Sequence, residues 1–188
     1  MHRRNLLAFG LVAGLAGISS AAIAQAPKAD PQNTVYLDTK DGRITIRLRP
    51  DLAPKHVAQI KTLTKRGFYN GVVFHRVIDG FMAQTGDPTG TGTGGSDLPD
   101  LPAEFTNKAK FVRGTVGMAR AQNPNSANSQ FFIMFDQSSS LDGQYTIVGE
   151  VTSGMEVVDK IKKGSSAANG QVQSPDKIVK MQLAADAK

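Results

Sequence analysis

The sequence predicts a mainly β domain, an antiparallel barrel or closed sheet capped by two helices. Three observations carry this. From Thr34 onward the apolar residues fall in short runs with a period of two or in brief unbroken blocks. Only two stretches have helical spacing, and the glycines fall mainly between the runs. Many short strands with two intervening helices are the pattern of a sheet that curls on itself to protect its edges.

The elements follow in order. Val35-Tyr36-Leu37 and Arg43 to Arg49 flank Lys40-Asp41-Gly42, the signature of a hairpin with an Asp-Gly turn. In the second strand Ile44, Ile46 and Leu48 share one face while Arg43, Thr45, Arg47 and Arg49 share the other, so one side is buried and one is wet. Asp51-Leu52-Ala53-Pro54 opens a helix whose stripe is Val57, Ile60, Leu63 and Thr64, with Gly67 as its stop. Several runs rich in Val, Ile and Phe come next. A second helix is expected from Met155 to Lys163, with Val157, Val158 and Ile161 inward, a basic last turn and Gly164 beyond it. Lys177 to Leu183 reads as the last strand.

Before this domain the chain has another character. His2, Arg3 and Arg4 precede an apolar run from Leu6 to Ile18, and Ala22-Ile23-Ala24 and Ala24-Gln25-Ala26 are small-x-small cleavage sites. This predicts a signal peptide over residues 1–24, cut after Ala24 or Ala26. The apolar run is shorter than the roughly 20 residues that cross a bilayer, so no stable membrane association is expected after cleavage. Export to the periplasm follows, by the general route or, given Arg3-Arg4-Asn5-Leu6-Leu7, the twin-arginine route. Residues 25–33 read as a flexible leader, 34–184 as one domain and 185–188 as a tail.

Composition narrows the function. The formal charge of +6 loses Arg3 and Arg4 with the signal, and the remaining cations are scattered among acids without interleaved aromatics. Nucleic-acid binding has little support. With no cysteine, disulfides, thiolate zinc sites and cysteine nucleophiles are excluded. His56 and His75 have no Asp or Glu at zinc spacing, so no metal is expected. A single core is expected of a mature chain this long, and, with no sign of a dimer interface in the sequence, a monomer.

Two segments place polar groups inside apolar strands: residues 72–87, VVFHRVIDGFMAQTGD, and Gly117-Met118-Ala119-Arg120 leading to Ser129-Gln130-Phe131-Phe132-Ile133. Alternation sends His75 and Arg76 to opposite faces, and a cation within such a run needs a partner or a purpose. Met82 shares a face with Gln84, and Gln130 with Phe132. An apolar group beside an amide, twice over, predicts a peptide groove with a hydrophobic pocket.

FHRVIDGFMAQTGD, GMARA and SQFFI, followed by LDGQYTIVGEV and GMEVVDKI, resemble the successive signature blocks of the cyclophilin family over about residues 34–183. The resemblance implies a closed eight-stranded antiparallel β-barrel capped by two α-helices, acting as a peptidyl-prolyl cis/trans isomerase on proline-containing polypeptides without metal or cofactor. It also implies that Arg76 is the catalytic arginine and that Gln84, Phe81 and Phe132 belong to the catalytic set. Phe81, Met82, Phe132 and Leu141 would hold the proline ring, Gln84 and Gln130 would line the groove, and substrate would lie along Ala119 and the backbone of Arg120. Tyr145 would occupy a further pocket position, as in bacterial members where many animal members carry histidine. Ser140 stands where many members carry tryptophan, which should weaken binding of cyclosporin-like inhibitors.

Other readings are weaker. His75 reads as a satisfied structural histidine, and Phe131 and Phe135 as core. The stretch from Gly86 to Gly95 lacks the ending of a phosphate loop and reads as a flexible surface loop. Glu104 and Asp142 lack companions for a hydrolase pair. The rival to the isomerase is a peptide-binding or chaperone module of the same fold with little turnover.

Overall fold

The computed structural model describes residues 30–188, so the expected signal peptide and most of the leader lie outside the described residues. Eight strands and two helices follow in the order β1 (Thr34–Thr39), β2 (Gly42–Leu48), α1 (Pro54–Lys65), β3 (Arg76–Ile78), β4 (Met82–Thr85), β5 (Thr115–Met118), β6 (Phe131–Met134), β7 (Ile147–Ser153), α2 (Met155–Val158) and β8 (Lys180–Leu183). Every pairing is antiparallel, and the sheet runs β3-β4-β6-β5-β7-β2-β1-β8.

The eight strands and two helices agree with expectation, but the closed ladder does not. Within the described residues β3 and β8 do not pair, and the sheet is an open half-barrel. Irregular backbone lies across that gap, with Gly71 N donating to Ile178 O at 2.7 Å, Ile178 N to Val72 O at 2.9 Å and Phe74 N to Asp176 O at 2.9 Å. Lys177 makes one isolated antiparallel bridge to Val73, and Val179 N donates to Asp38 O of β1, so the continuous last strand begins at Lys180 rather than at Lys177.

Period-two alternation divides the residues of each strand. Val35, Leu37, Ile44, Ile46, Leu48, Val77, Ala83, Val116, Met118, Phe131 and Ile133 pack in the main core with Val57, Ile60 and Leu63 of α1. Phe135 is buried there too, so the core reading of Phe131 and Phe135 agrees with the structure. Met82, Phe132, Met134 and Ile147 of the strands form a smaller apolar cluster with Leu52 and Phe111 from the connections.

The helix α1 starts at Pro54 after Ala53, which has no side chain to cap it. A residue far along the chain does so instead. The Glu104 carboxylate accepts from Lys55 N at 3.2 Å and His56 N at 3.1 Å, and lies 2.7 Å from His56 Nδ1. Burial raises the Glu104 pKa, but the His56 side chain and these N–H groups outweigh it and hold it below its ordinary value. Glu104 is thus committed to the helix terminus, while Asp142 accepts from Phe111 N at 2.8 Å and faces Lys110 at 3.4 Å. The two acids serve separate structural tasks.

The second helix is shorter than its periodicity predicts. Val157, Val158 and Ile161 are buried as expected, but Lys160 N and Ile161 N bond three residues back, and Lys162 N donates to the Asp176 carboxylate at 2.8 Å. Gly164 N then donates to Val77 O at 2.9 Å, drawing the chain off its helical path to β3. Just before β1, within the span expected as a flexible leader, Pro31–Asn33 form a single 3-10 turn capped by Asp30.

Candidate active site

Register alone assembles the centre of the site. Arg76 pairs with Gln84 across β3 and β4, Gln84 with Phe132 across β4 and β6, and Phe132 with Gly117 across β6 and β5. Partners in register share a face, so one row across four strands carries a cation, an amide, an aromatic ring and a gap. The next row, Ile78, Met82 and Met134, supplies apolar support.

A cavity of about 180 Å³ opens over these rows, lined by Arg76, Phe81, Met82, Gln84, Ala119, Arg120, Phe132, Leu141 and Tyr145. Nine of the ten residues proposed from sequence meet at one cup. The tenth, Gln130, lies next door in a groove of about 570 Å³ lined by Gln84, Gly92 to Ser96, Asp100, Ala119 to Ala121, Ser126, Asn128 and Gln130. The two spaces share Gln84, Ala119 and Arg120.

The cup is built from rings. Phe132 stacks on Phe111 with centroids 5.8 Å apart and meets Tyr145 edge-on at 5.9 Å. The Arg120 guanidinium lies 4.5 Å over the Tyr145 ring and donates from Nη2 to Gln144 O at 3.0 Å, so its charge is spent on the cup wall. That leaves its backbone beside Ala119 as the surface facing the groove, where Ala119 N donates to Gln130 O at 3.0 Å.

Arg76 is held by neutral acceptors. Its Nη1 donates to Gln84 Oε1 at 3.2 Å, its Nε to Asn169 O at 3.0 Å and its Nη2 to Asn169 Oδ1 at 3.0 Å. Gln84 Nε2 continues the chain to Gln130 Oε1 at 2.8 Å, and Gln130 Nε2 to Gly94 O at 2.8 Å. Burial lowers the Arg76 pKa from its ordinary value, but a guanidinium stays charged at neutral pH. Sequence reasoning missed Asn169. Its signal was the Asn-Gly pair at 169 and 170, a turn dipeptide far from both quoted segments.

His75 is buried on the other face, as alternation requires, but it is not the satisfied histidine expected. Among the described residues neither ring nitrogen has a hydrogen-bond partner. Burial lowers its pKa, more than Asp87 raises it, so the ring is neutral and places no second charge behind Arg76.

The loop from Gly86 to Gly95, expected to be flexible, is folded around one buried carboxylate. Asp87 accepts from Thr89 N at 2.8 Å, Thr89 Oγ1 at 2.8 Å, Gly92 N at 2.7 Å and Gly94 N at 3.1 Å. Its burial raises the pKa, but the Thr89 hydroxyl and the N–H groups of Gly94, Thr89 and Gly92 outweigh that and hold it at about 2. A folded pKa below the unfolded 3.8 stabilises the protein above pH 4, and that stabilisation is lost as pH falls toward 2. Urea unfolding should show a loss of about 2 kcal/mol across this window, and Asp87→Asn should lack that part of the acid loss while being less stable at pH 6. Parallel acid curves for the two proteins would refute this role.

Among the described residues no three His, Asp or Glu side chains converge as metal ligands. What the geometry presents is an apolar cup with a groove beside it, a charged guanidinium at the rim and neutral amides around that. A cup and groove of this shape can take an extended peptide, and the guanidinium and amides can hydrogen-bond to it.

The chain belongs to the cyclophilin-type peptidyl-prolyl cis-trans isomerases: residues 34–183 match the family model described as "Cyclophilin type peptidyl-prolyl cis-trans isomerase/CLD". It is an enzyme of that type. A Brucella suis protein named "Probable peptidyl-prolyl cis-trans isomerase" is 62% identical over 187 residues, covering 94% of this chain and 95% of the relative. Cyclophilin AquaCyp293 from Hirschia baltica superposes with a TM-score of 0.74 at 30% identity, covering 85% of this chain and 77% of that one. A Cryptosporidium parvum cyclophilin-type isomerase solved in the presence of the dipeptide Ala-Pro gives 0.73 at 29% identity, covering 80% and 98%.

Proposed function

We propose that the cup receives the proline ring of an extended polypeptide and that Arg76 catalyses rotation of the preceding bond by donating to the prolyl nitrogen as it twists. The observation that carries this is the row Arg76, Gln84, Phe132, which sets a charged donor at the rim of a cavity of about 180 Å³ that Phe81, Met82, Phe132 and Leu141 also line. An amide resists rotation, with a barrier of about 20 kcal/mol, because nitrogen shares its lone pair with the carbonyl. The pair becomes a hydrogen-bond acceptor only when conjugation is lost. A donor aimed at it therefore binds the transition state better than either ground state.

The remaining roles follow. Phe81, Met82, Phe132 and Leu141 immobilise the ring, while Gln84, Gln130, Ala119 and the Arg120 backbone hold the flanking chain, so that rotation is confined to one bond. The Cryptosporidium structure, solved in the presence of Ala-Pro, supports X-Pro segments as ligands here. The signal-like residues 1–24 support export, with folding of proteins in the periplasm as the task and a monomer as the working form. The direct test is whether the chain from residue 25 accelerates cis-to-trans exchange of a short X-Pro peptide. Peptide binding without acceleration would instead establish a chaperone module.

Ser140 bears on inhibition. It is exposed beside Leu141 of the cup, with its hydroxyl 3.1 Å from that of Ser138. An indole there would add a flat apolar contact and a donor. Cyclosporin should bind weakly, and Ser140→Trp should tighten it about 10-fold or more by titration calorimetry. No gain on adding the indole would show that the weakness lies elsewhere.

A further inference from the structure

We infer that Asn169 is a positioning residue for Arg76: a neutral, two-point clamp that orients the guanidinium without neutralising it. The inference rests on the proposed role of Arg76. Asn169 engages the Nε–Nη2 edge of the fork with two oxygens of one residue, its backbone carbonyl and its side-chain Oδ1, each at 3.0 Å. With Nη1 on Gln84, three of the five N–H groups of Arg76 have acceptors among the described residues, and two are left for a substrate.

The segment carrying Asn169 is stapled to β3. Val77 N donates to Gly170 O at 2.8 Å, Gly164 N to Val77 O at 2.9 Å, and Val172 N to His75 O at 3.1 Å. Gly170 has a φ of 81°, and a Cβ there would strike the Ile78 side chain, so a glycine is what allows this close approach. Asn169 itself has a φ of 52° and a ψ of 37°. Among side-chain-bearing residues Asn tolerates this left-handed region well, and here that turn presents both oxygens to one guanidinium.

The choice of acceptor has an electrostatic consequence. A carboxylate of the same shape would make a stronger fork with arginine. It would also cancel the charge that must act on the prolyl nitrogen. Among the described residues no carboxylate lies within ion-pair distance of Arg76, although most of the other arginines pair with acids: Arg43 with Asp38, Arg47 with Glu150, Arg49 with Asp51, Arg66 with Asp97, Arg113 with Asp159. Arg76 differs from these in being held by amides.

Two substitutions separate orientation from charge. Asn169→Gly keeps the left-handed backbone and its carbonyl but removes Oδ1. Asn169→Asp keeps both oxygens and adds the negative charge. Single-turnover exchange of an X-Pro peptide should slow about 3- to 10-fold in Asn169→Gly and at least as much in Asn169→Asp, with peptide Kd and Tm close to wild type. The ¹⁵N–¹H signal of Arg76 Nε should broaden or shift in Asn169→Gly and persist in Asn169→Asp. A merely structural asparagine would move Tm and Kd instead, and aspartate, matching its shape, would restore full rate. Wild-type turnover in either variant overturns the clamp. Arg76→Ala run alongside distinguishes the failures: if it is slow while both Asn169 variants are fast, only the clamp falls, and if it is fast, the role of Arg76 falls.

Discussion

Arg76→Ala is expected to slow catalysed cis-to-trans exchange about 100- to 1000-fold, the cost of losing one preorganised donor to the charge that develops in a transition state. The fold should survive. Arg76 is half-buried on a three-residue edge strand, its guanidinium makes no ion pair among the described residues, and its neighbours Val77 and Phe74 hold the local core without it. Peptide binding should weaken little, because Phe81, Met82, Phe132 and Leu141 line the cup and its stacked rings do not lean on the Arg76 guanidinium. Arg76→Lys sharpens the test. An ammonium keeps the charge but cannot satisfy Gln84 and both Asn169 oxygens with a planar fork, so it should recover only part of the rate. Exchange kinetics with a chromogenic X-Pro peptide, read beside circular dichroism, decides the matter. Equal rates in wild type and alanine variant would remove the arginine from the mechanism.

Part of the site was legible in the sequence because strands write their faces directly, while Phe81, Ala119, Arg120, Leu141 and Tyr145 came only from the resemblance to the family. Arg76, Met82, Gln84, Gln130 and Phe132 could be assigned to shared faces by counting in twos, and antiparallel register then needed only to bring the strands together. What counting cannot supply is partnership across long stretches of chain. Asn169 reaches Arg76 from 93 residues away, and Glu104 reaches His56 from 48. Neither acceptor stands in an alternating run, so no period marks it. The loop around Asp87 was misjudged for a related reason. Its glycines and threonines look unstructured by composition, but Thr89, Gly92 and Gly94 each supply an N–H to one buried carboxylate. The closed barrel failed at its seam, where Val73 and Lys177 make only an isolated bridge and β3 and β8 stay at opposite ends of the sheet. Periodicity reports which face is buried, and is silent on where a ladder stops.

The gap at the end of the row that starts with Arg76 is expected to matter nearly as much as the arginine itself. Gly117 lies opposite Phe132, and a Cβ built there would lie 2.6 Å from Phe132 Cζ and 2.6 Å from Phe111 Cε1, well inside van der Waals contact. Its backbone is ordinary strand, so alanine is conformationally allowed and the whole cost is space. Phe111 is fully buried and cannot retreat, which leaves Phe132 to move outward by about 1 Å into the cup. Gly117→Ala should therefore cost about 1–3 kcal/mol of stability by urea unfolding. It should also lower kcat/KM up to about 100-fold, because a proline ring displaced by that distance no longer brings its nitrogen to Arg76. The source of the defect can be identified by relief. Phe111→Val opens room beneath the stack, so the double variant Gly117→Ala with Phe111→Val should regain activity relative to Gly117→Ala, despite losing an aromatic contact. If Gly117→Ala keeps the peptide affinity and rate of wild type, the floor of the cup does not fix the position of the ring, and the shape argument for Phe132 fails with it.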